Sequence, residues 1–203
     1  MADGARPPRI APGRPAEIGR VNTLITRALG AATGGGPPNL FTTLARHRRL
    51  FRPWLRFAGV LMPGGRLPRA DTELLILRTA HTTGCAYEWR HHEHLGRAAG
   101  LTAEQIARVR EGPEAVGWEA HQSRLLRAAD ALRADGALDD ELWAALRERY
   151  DEAQMIELCM LVGHYVMLAM TINTLQIVPD ALPSTPPRLA RAGQALLRRR
   201  RGR

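Results

Sequence analysis

Apolar residues recur along this chain at intervals of three and four, and glycine or proline interrupts them at helix-length spacing. That pattern predicts a succession of amphipathic helices. A first helix is expected over about residues 16–30, with Ile18, Val21, Leu24, Ile25, Ala28 and Leu29 on one stripe. A glycine and proline run, residues 34–38, ends it. Asn39 is then expected to cap a second helix over residues 40–50, and Pro53 to sit in the first turn of a third. Two helices flank Thr82-Thr83-Gly84. The first is charged near its start by Asp71, and through Leu74, Leu75, Ile76 and Leu77 it is too apolar for a surface helix. The second is opened by Cys85 and ends at Gly100, where a left-handed C-terminal glycine belongs. Thr102 with Gln105 reads as a capping box, and Asp139 and Asp151 as caps of later helices. The last helix, through Met155 to Met170, is apolar on more than one face, which predicts a central position or a subunit contact. No run of alternating β-branched residues appears, so the fold class is all-α.

Composition changes this picture mainly at the ends. The 203 residues suit one domain with tails: a disordered N-terminal tail over 1–15, a helical domain over 16–179 and an arginine-rich C-terminal tail over 180–203. The net charge of +9 is concentrated in that last tail, where seven arginines face the single acid Asp180. It therefore makes no strong case for a nucleic-acid or membrane partner of the body. All basic side chains are arginine, the bias of a GC-rich bacterial genome. Two cysteines make no disulfide framework, and no secretory signal is visible, so a cytoplasmic location is expected.

The candidate chemistry lies in residues 69–100, which hold one cysteine, four of the seven histidines and three glutamates. At about 100° per residue, Glu88 and His92 fall within roughly 60° of Cys85 on the helix surface, with Trp89 about 40° to the other side. His91 and His94 point away. A helix N-terminus lowers a thiol pKa, and a neighbouring imidazole accepts or relays its proton, so the pattern fits a reactive cysteine. It equally fits a packed cysteine beside a surface Glu–His pair. A metal site is not expected: Glu88-x-x-His91 is half of a di-iron pattern without its second half, although Glu73, Glu88 and His92 together contain ligand types. Arg69 and Arg78 are candidates to hold a substrate carboxylate.

The stretch from Glu73 through Cys85 and Glu88 to His92 resembles the carboxymuconolactone decarboxylase family, which includes the alkyl hydroperoxidase D-like proteins. Glu73, twelve residues before Cys85, matches the family glutamate; Cys85 matches the first cysteine of its Cys-x-x-Cys pair and His92 its histidine. Glu88 stands where the peroxidase branch has its second cysteine, and Tyr87-Glu88-Trp89 looks like the decarboxylase-like branch. Glu157, Gly163, Tyr165 and Asn173 extend the resemblance into the last helix. It implies a compact multi-helix domain, assembled as a homo-trimer or hexamer and needing no cofactor, to which composition adds flexible basic termini.

The function implied is that of a thiol-dependent, antioxidant hydroperoxidase-like oxidoreductase. Cys85 is the nucleophile, Glu73, Glu88 and His92 form a proton relay, and Tyr87 and Trp89 line the substrate pocket. An external thiol donor, or Cys159, would return the oxidised cysteine to its resting state. The alternative is a cofactor-free decarboxylase or isomerase that acts on a lactone or keto acid through Glu88 and His92.

Overall fold

In this computed structural model residues 7–33 and 35–180 are described. Ten α-helices and no strand are found among them. The N-terminal residues 1–6 and nearly all of the arginine-rich stretch, 181–203, lie outside the described residues. Chain contacts divide the protein into two units, Arg56–Leu175 and Met1–Leu55 with Gln176–Arg203.

The unit formed by the ends contains α1 (Pro15–Ile18), α2 (Arg20–Thr33), α3 (Asn39–Leu44) and the first part of α4 (Arg48–Leu61). The single helix expected over 16–30 is split because Gly19 takes φ 82°, a region that costs an L side chain and ends α1 there. Asn39 is not the cap expected of it. Pro38 occupies that position, while Asn39 gives its backbone N–H to Asp180 (2.8 Å) and its side-chain amide to the Val178 carbonyl (3.0 Å). Nor does Pro53 open a helix. The His47 ring and carbonyl accept from the Leu50 amide, so α4 begins at Arg48 and Pro53 falls inside it. Within the stretch expected to be a tail, Gly13 donates to the Thr42 carbonyl (3.2 Å), and Arg46 donates to Ala11 (2.8 Å). Ile18, Ala45 and Phe51 form the small core of this unit.

The larger unit carries the family-like stretch. Its elements are α5 (Arg69–Thr82), α6 (Ala86–Ala99), α7 (Ala103–Glu111), α8 (Ala120–Ala134), α9 (Asp140–Arg147) and α10 (Glu152–Leu175). The expected caps at Thr102 and Asp139 form, and Asp151 exchanges side-chain bonds with Gln154. α5 packs against α6, α7, α8 and α10, and every residue from Asp71 to Leu77 is buried. The apolar run 74–77 thus reads correctly as a central helix, surrounded on all faces. By length and composition α10 is apolar enough to cross a membrane, but half of that window is buried inside the protein, as in a core helix.

Two polar devices hold the start of α5. Glu157 on α10 accepts from the backbone amides of Arg66 (2.6 Å) and Leu67 (3.1 Å), satisfying donors that the turn leaves unpaired. Asp71 accepts from the Tyr150 hydroxyl (2.7 Å) and sits 3.2 Å from His121 Nε2. Both devices fix the helix that carries Glu73.

Candidate functional site

The turn between α5 and α6 decides where the cysteine goes. Gly84 takes φ 63°, its N–H bonds to the His81 carbonyl (3.1 Å), and the Cys85 N–H bonds to Ala80 (2.8 Å). This is the paired closure of a helix C-terminus that a left-handed glycine allows. The next residue becomes the N-cap of α6, so Cys85 closes one helix and opens the next. The Asn173 side chain donates to the Thr83 carbonyl (3.0 Å), tying the turn to α10.

From that corner, α6 turns Glu88 and His92 inward, both buried. The His92 Nδ1 lies 2.7 Å from Glu73 Oε2, and the other carboxylate oxygen of Glu73 is 2.5 Å from Arg69. Glu73 is fully buried, so these two partners offset the cost of removing its charge from water. The Tyr165 ring meets His92 edge-on at 5.0 Å, and its hydroxyl is pushed well above the ordinary tyrosine range by burial and by the charges of Glu73 and Glu88. His164 beside it is driven down to about 4 by burial.

Cys85 and Glu88 form a second pair. Burial, and then the Glu88 charge, push the Cys85 thiol up to about 12. The expected lowering at a helix N-terminus is therefore overcome. The amides of Tyr87 and Glu88 act in the lowering direction, but removal of the thiol from water outweighs them. Burial raises Glu88 to about 8, and interaction with the Cys85 thiol offsets only part of that rise. Neither Glu88 oxygen has another hydrogen-bond partner among the described residues.

Cys85 lies on the wall of an open pocket of about 350 Å³, lined also by Ala80, His81, Gly84, Ala86, Trp89 and Arg110. The Arg110 guanidinium sits 4.3 Å from the centre of the Trp89 ring, and His81 meets that ring edge-on at 6.0 Å. Of the two aromatic walls expected, Trp89 lines this pocket. Tyr87, about 200° around the helix from Cys85, is instead buried and stacked on His91 at 4.8 Å. Neither arginine considered for a substrate carboxylate is free. Arg69 pairs with Glu73, and Arg78 with Asp130 (2.8 Å) and the Val109 carbonyl. No group of three or more metal-ligating side chains is gathered among the described residues. Cys85 and Cys159 are both free thiols.

Sequence reasoning left out Arg110, His81 and the place of Tyr165 beside the buried carboxylates. The i to i+4 spacing of Arg69 and Glu73 signalled their ion pair. Nothing local signalled Arg110, which reaches the pocket from α7.

Residues 48–131 match the carboxymuconolactone decarboxylase family model. No curated protein matches the chain. An uncharacterized peroxidase-related protein from Ralstonia eutropha JMP134, an alkylhydroperoxidase AhpD core, shares the fold with a TM-score of 0.75 at 19% identity, over 90% of this chain and 100% of that one. A second peroxidase-related protein, from Silicibacter sp. TM1040, has a TM-score of 0.74 at 14% identity, over 89% and 96%. The debrominase Bmp8 has a TM-score of 0.66 at 16% identity, over 90% and 94%. The chain is thus similar over residues 48–131 to the carboxymuconolactone decarboxylase family, and its all-helical fold is AhpD-like.

Proposed function

We propose that this protein is a thiol-dependent, peroxidase-like oxidoreductase in which Cys85 is the nucleophile and Glu88 its proton acceptor. The observation that carries the reading is Cys85 itself: a buried residue of the pocket lining, with the buried Glu88 carboxyl behind it acting on its thiol. A thiol held at about 12 is inert by itself at neutral pH, so it needs a base positioned beside it. Glu88, held at about 8, is suited to take that proton as the sulfur attacks. The sulfur attacks the terminal peroxide oxygen, the S–O bond forms and the O–O bond breaks. The thiol proton passes through Glu88 to the leaving alkoxide or hydroxide. Sulfur is oxidised to the sulfenic acid and the peroxide is reduced to an alcohol or water. An external dithiol then reduces the sulfenic acid, becoming a disulfide and releasing water. The Glu73–His92–Tyr165 group supports the inner face of α6. The fold neighbours, peroxidase-related proteins and a debrominase, support an enzyme on this scaffold.

Exposure to peroxide followed by peptide mass analysis is expected to show sulfenylation at Cys85 ahead of Cys159. Equal or preferential reaction at Cys159 would count against the assignment. One observation favours the second reading, a cofactor-free decarboxylase or isomerase: Glu88 at about 8 is poised for proton transfer whether or not a thiol takes part. The variant Cys85→Ser separates the two. Retained turnover of a lactone or keto acid supports acid–base chemistry, and complete loss supports the thiol.

Assembly as a homo-oligomer belongs to the same proposal. Ile156, Met160, Met167 and Met170 are exposed in a row along α10, and an apolar row of that length supports a helix from a second copy lying against it. Light scattering of Met160→Glu with Met167→Glu is expected to give a smaller assembly than the parent chain. An unchanged mass removes this face from consideration.

A further inference from the structure

The arginines of this chain are unevenly shared between its two units. From Ile18 through Ala70 the sequence holds nine arginines and no aspartate or glutamate. Residues 1–55 carry nine arginines against Asp3 and Glu17, whereas residues 56–175 carry thirteen against seventeen acids. Outside the terminal arginine run the net charge is therefore small only because a basic segment and an acidic one cancel. The basic segment falls in the unit formed by the ends, and the unit that carries Cys85 is the acidic one.

Few of the basic unit's charges are met inside it. Glu17 is taken by Arg46 (3.1 Å) and Arg14 (3.5 Å), and Asp180 accepts from the Asn39 amide. Arg48 donates to the Ala16 and Glu17 carbonyls at the end of α1, and a Cβ on Gly19 would lie 3.3 Å from its guanidinium. That contact sets the start of α4 beside the start of α2. Arg20 and Arg27 on α2, with Arg49 and Arg52 on α4, are exposed and form no ion pair among the described residues. At about 100° per residue, Arg20 and Arg27 lie within roughly 20° of each other, and Leu24 about 40° from Arg20. Aliphatic side chains stand among these cations: Val21, Leu24 and Leu50 are 55%, 71% and 57% exposed.

Unpaired arginines mixed with exposed aliphatic side chains discriminate between partners. A second copy presenting the same face would set like charges against each other. The phosphates of a DNA duplex would engage the arginines but would bury none of the aliphatic side chains. The aromatics that could stack on unpaired bases, Phe41, Phe51 and Trp54, are packed in the unit's own core. A bilayer surface meets both halves of the pattern, with lipid phosphates for the guanidinium groups and the acyl boundary for the aliphatic groups.

We propose that the outer face of α2 and of the first part of α4 is a docking surface for a membrane that contains anionic lipid. Arg20, Arg27, Arg49 and Arg52 hold the lipid phosphates, and Val21, Leu24 and Leu50 enter the acyl boundary.

Co-sedimentation of the full chain with lipid vesicles at low ionic strength tests this. Binding is expected to phosphatidylcholine vesicles that contain phosphatidylglycerol, and not to phosphatidylcholine alone. An arginine near such a surface is worth about fivefold in affinity. Arg20→Gln, Arg27→Gln, Arg49→Gln and Arg52→Gln combined should therefore weaken binding on the order of 10²–10³-fold. Val21→Ser with Leu24→Ser should weaken it by about tenfold. All these side chains are exposed, so both variants are expected to melt like the parent chain. No binding to the anionic vesicles overturns the proposal. So does equal binding by the four-arginine variant, the result expected if the terminal arginine run acts alone. A short DNA duplex is titrated alongside. A duplex bound more tightly than the vesicles, with vesicle binding indifferent to Val21→Ser and Leu24→Ser, assigns the face to nucleic acid and overturns the lipid assignment.

Discussion

Glu88→Gln is expected to make the protein more stable at pH 9 and to remove the reaction of Cys85. The stability effect follows from linkage. Burial raises the Glu88 carboxyl from 4.5 to about 8 in the folded chain. Between those values the folded state holds a proton that the unfolded state has released, so stability is highest below pH 4.5 and is lost as pH rises to about 8. Above that range the wild-type protein must carry a buried carboxylate with no hydrogen-bond partner besides the thiol, whereas glutamine stays neutral. The difference at pH 9 should be on the order of a few kcal/mol and should nearly vanish at pH 5. Thermal melts of both proteins at the two pH values check it, and parallel curves would sink the assignment of Glu88 as a buried acid. Loss of the base should slow Cys85 sulfenylation by about 10²–10³-fold. The wild-type rate should rise with pH to a plateau above about 8, and the variant should lack that rise. A group that stabilises the protein when removed, yet is needed for reaction, has the signature of a functional rather than a structural residue.

Glu73→Ala has the opposite sign. It leaves His92 buried without its partner and Arg69 without its charge complement, at the centre of the helix that packs against most of the larger unit. Breaking one side of a buried charged arrangement costs about 3–5 kcal/mol, and urea unfolding should show a loss of that size. Arg69→Ala should cost much less, because Arg69 is about a third exposed and water replaces its contribution. Glu73→Gln should fall between the two, since its oxygen still accepts from His92. A loss under about 1 kcal/mol for Glu73→Ala would show that the His92 contact contributes little to the fold.

Local sequence signals proved dependable where a single turn of chain decides the outcome. The caps at Thr102 and Asp139, the left-handed Gly100 and the stop at Thr82-Thr83-Gly84 all depend on neighbours in sequence. Two departures concern helix starts. Asn39 lies one residue inside α3, after Pro38, and its donors go to Asp180 and Val178, about 140 residues away. His47 starts α4 early enough to place Pro53 inside it.

By itself the sequence determined the all-helical fold, the central place of α5 and the face of α6 that gathers Cys85, Glu88 and His92 inward. Those follow from a 3.6-residue period and from turn chemistry, both of them local. Only the tertiary structure decided how the reactive groups are divided. His92 belongs to Glu73, which approaches from α5, while Cys85 belongs to Glu88. It also decided the protonation of that second pair, because desolvation depends on what surrounds a side chain and not on its helix position. Burial outweighs the helix N-terminus at Cys85 and turns Glu88 from an ordinary carboxylate into an acid titrating near 8. Arg110 reaches the same pocket from α7, a placement that depends on how α5, α6 and α7 pack together.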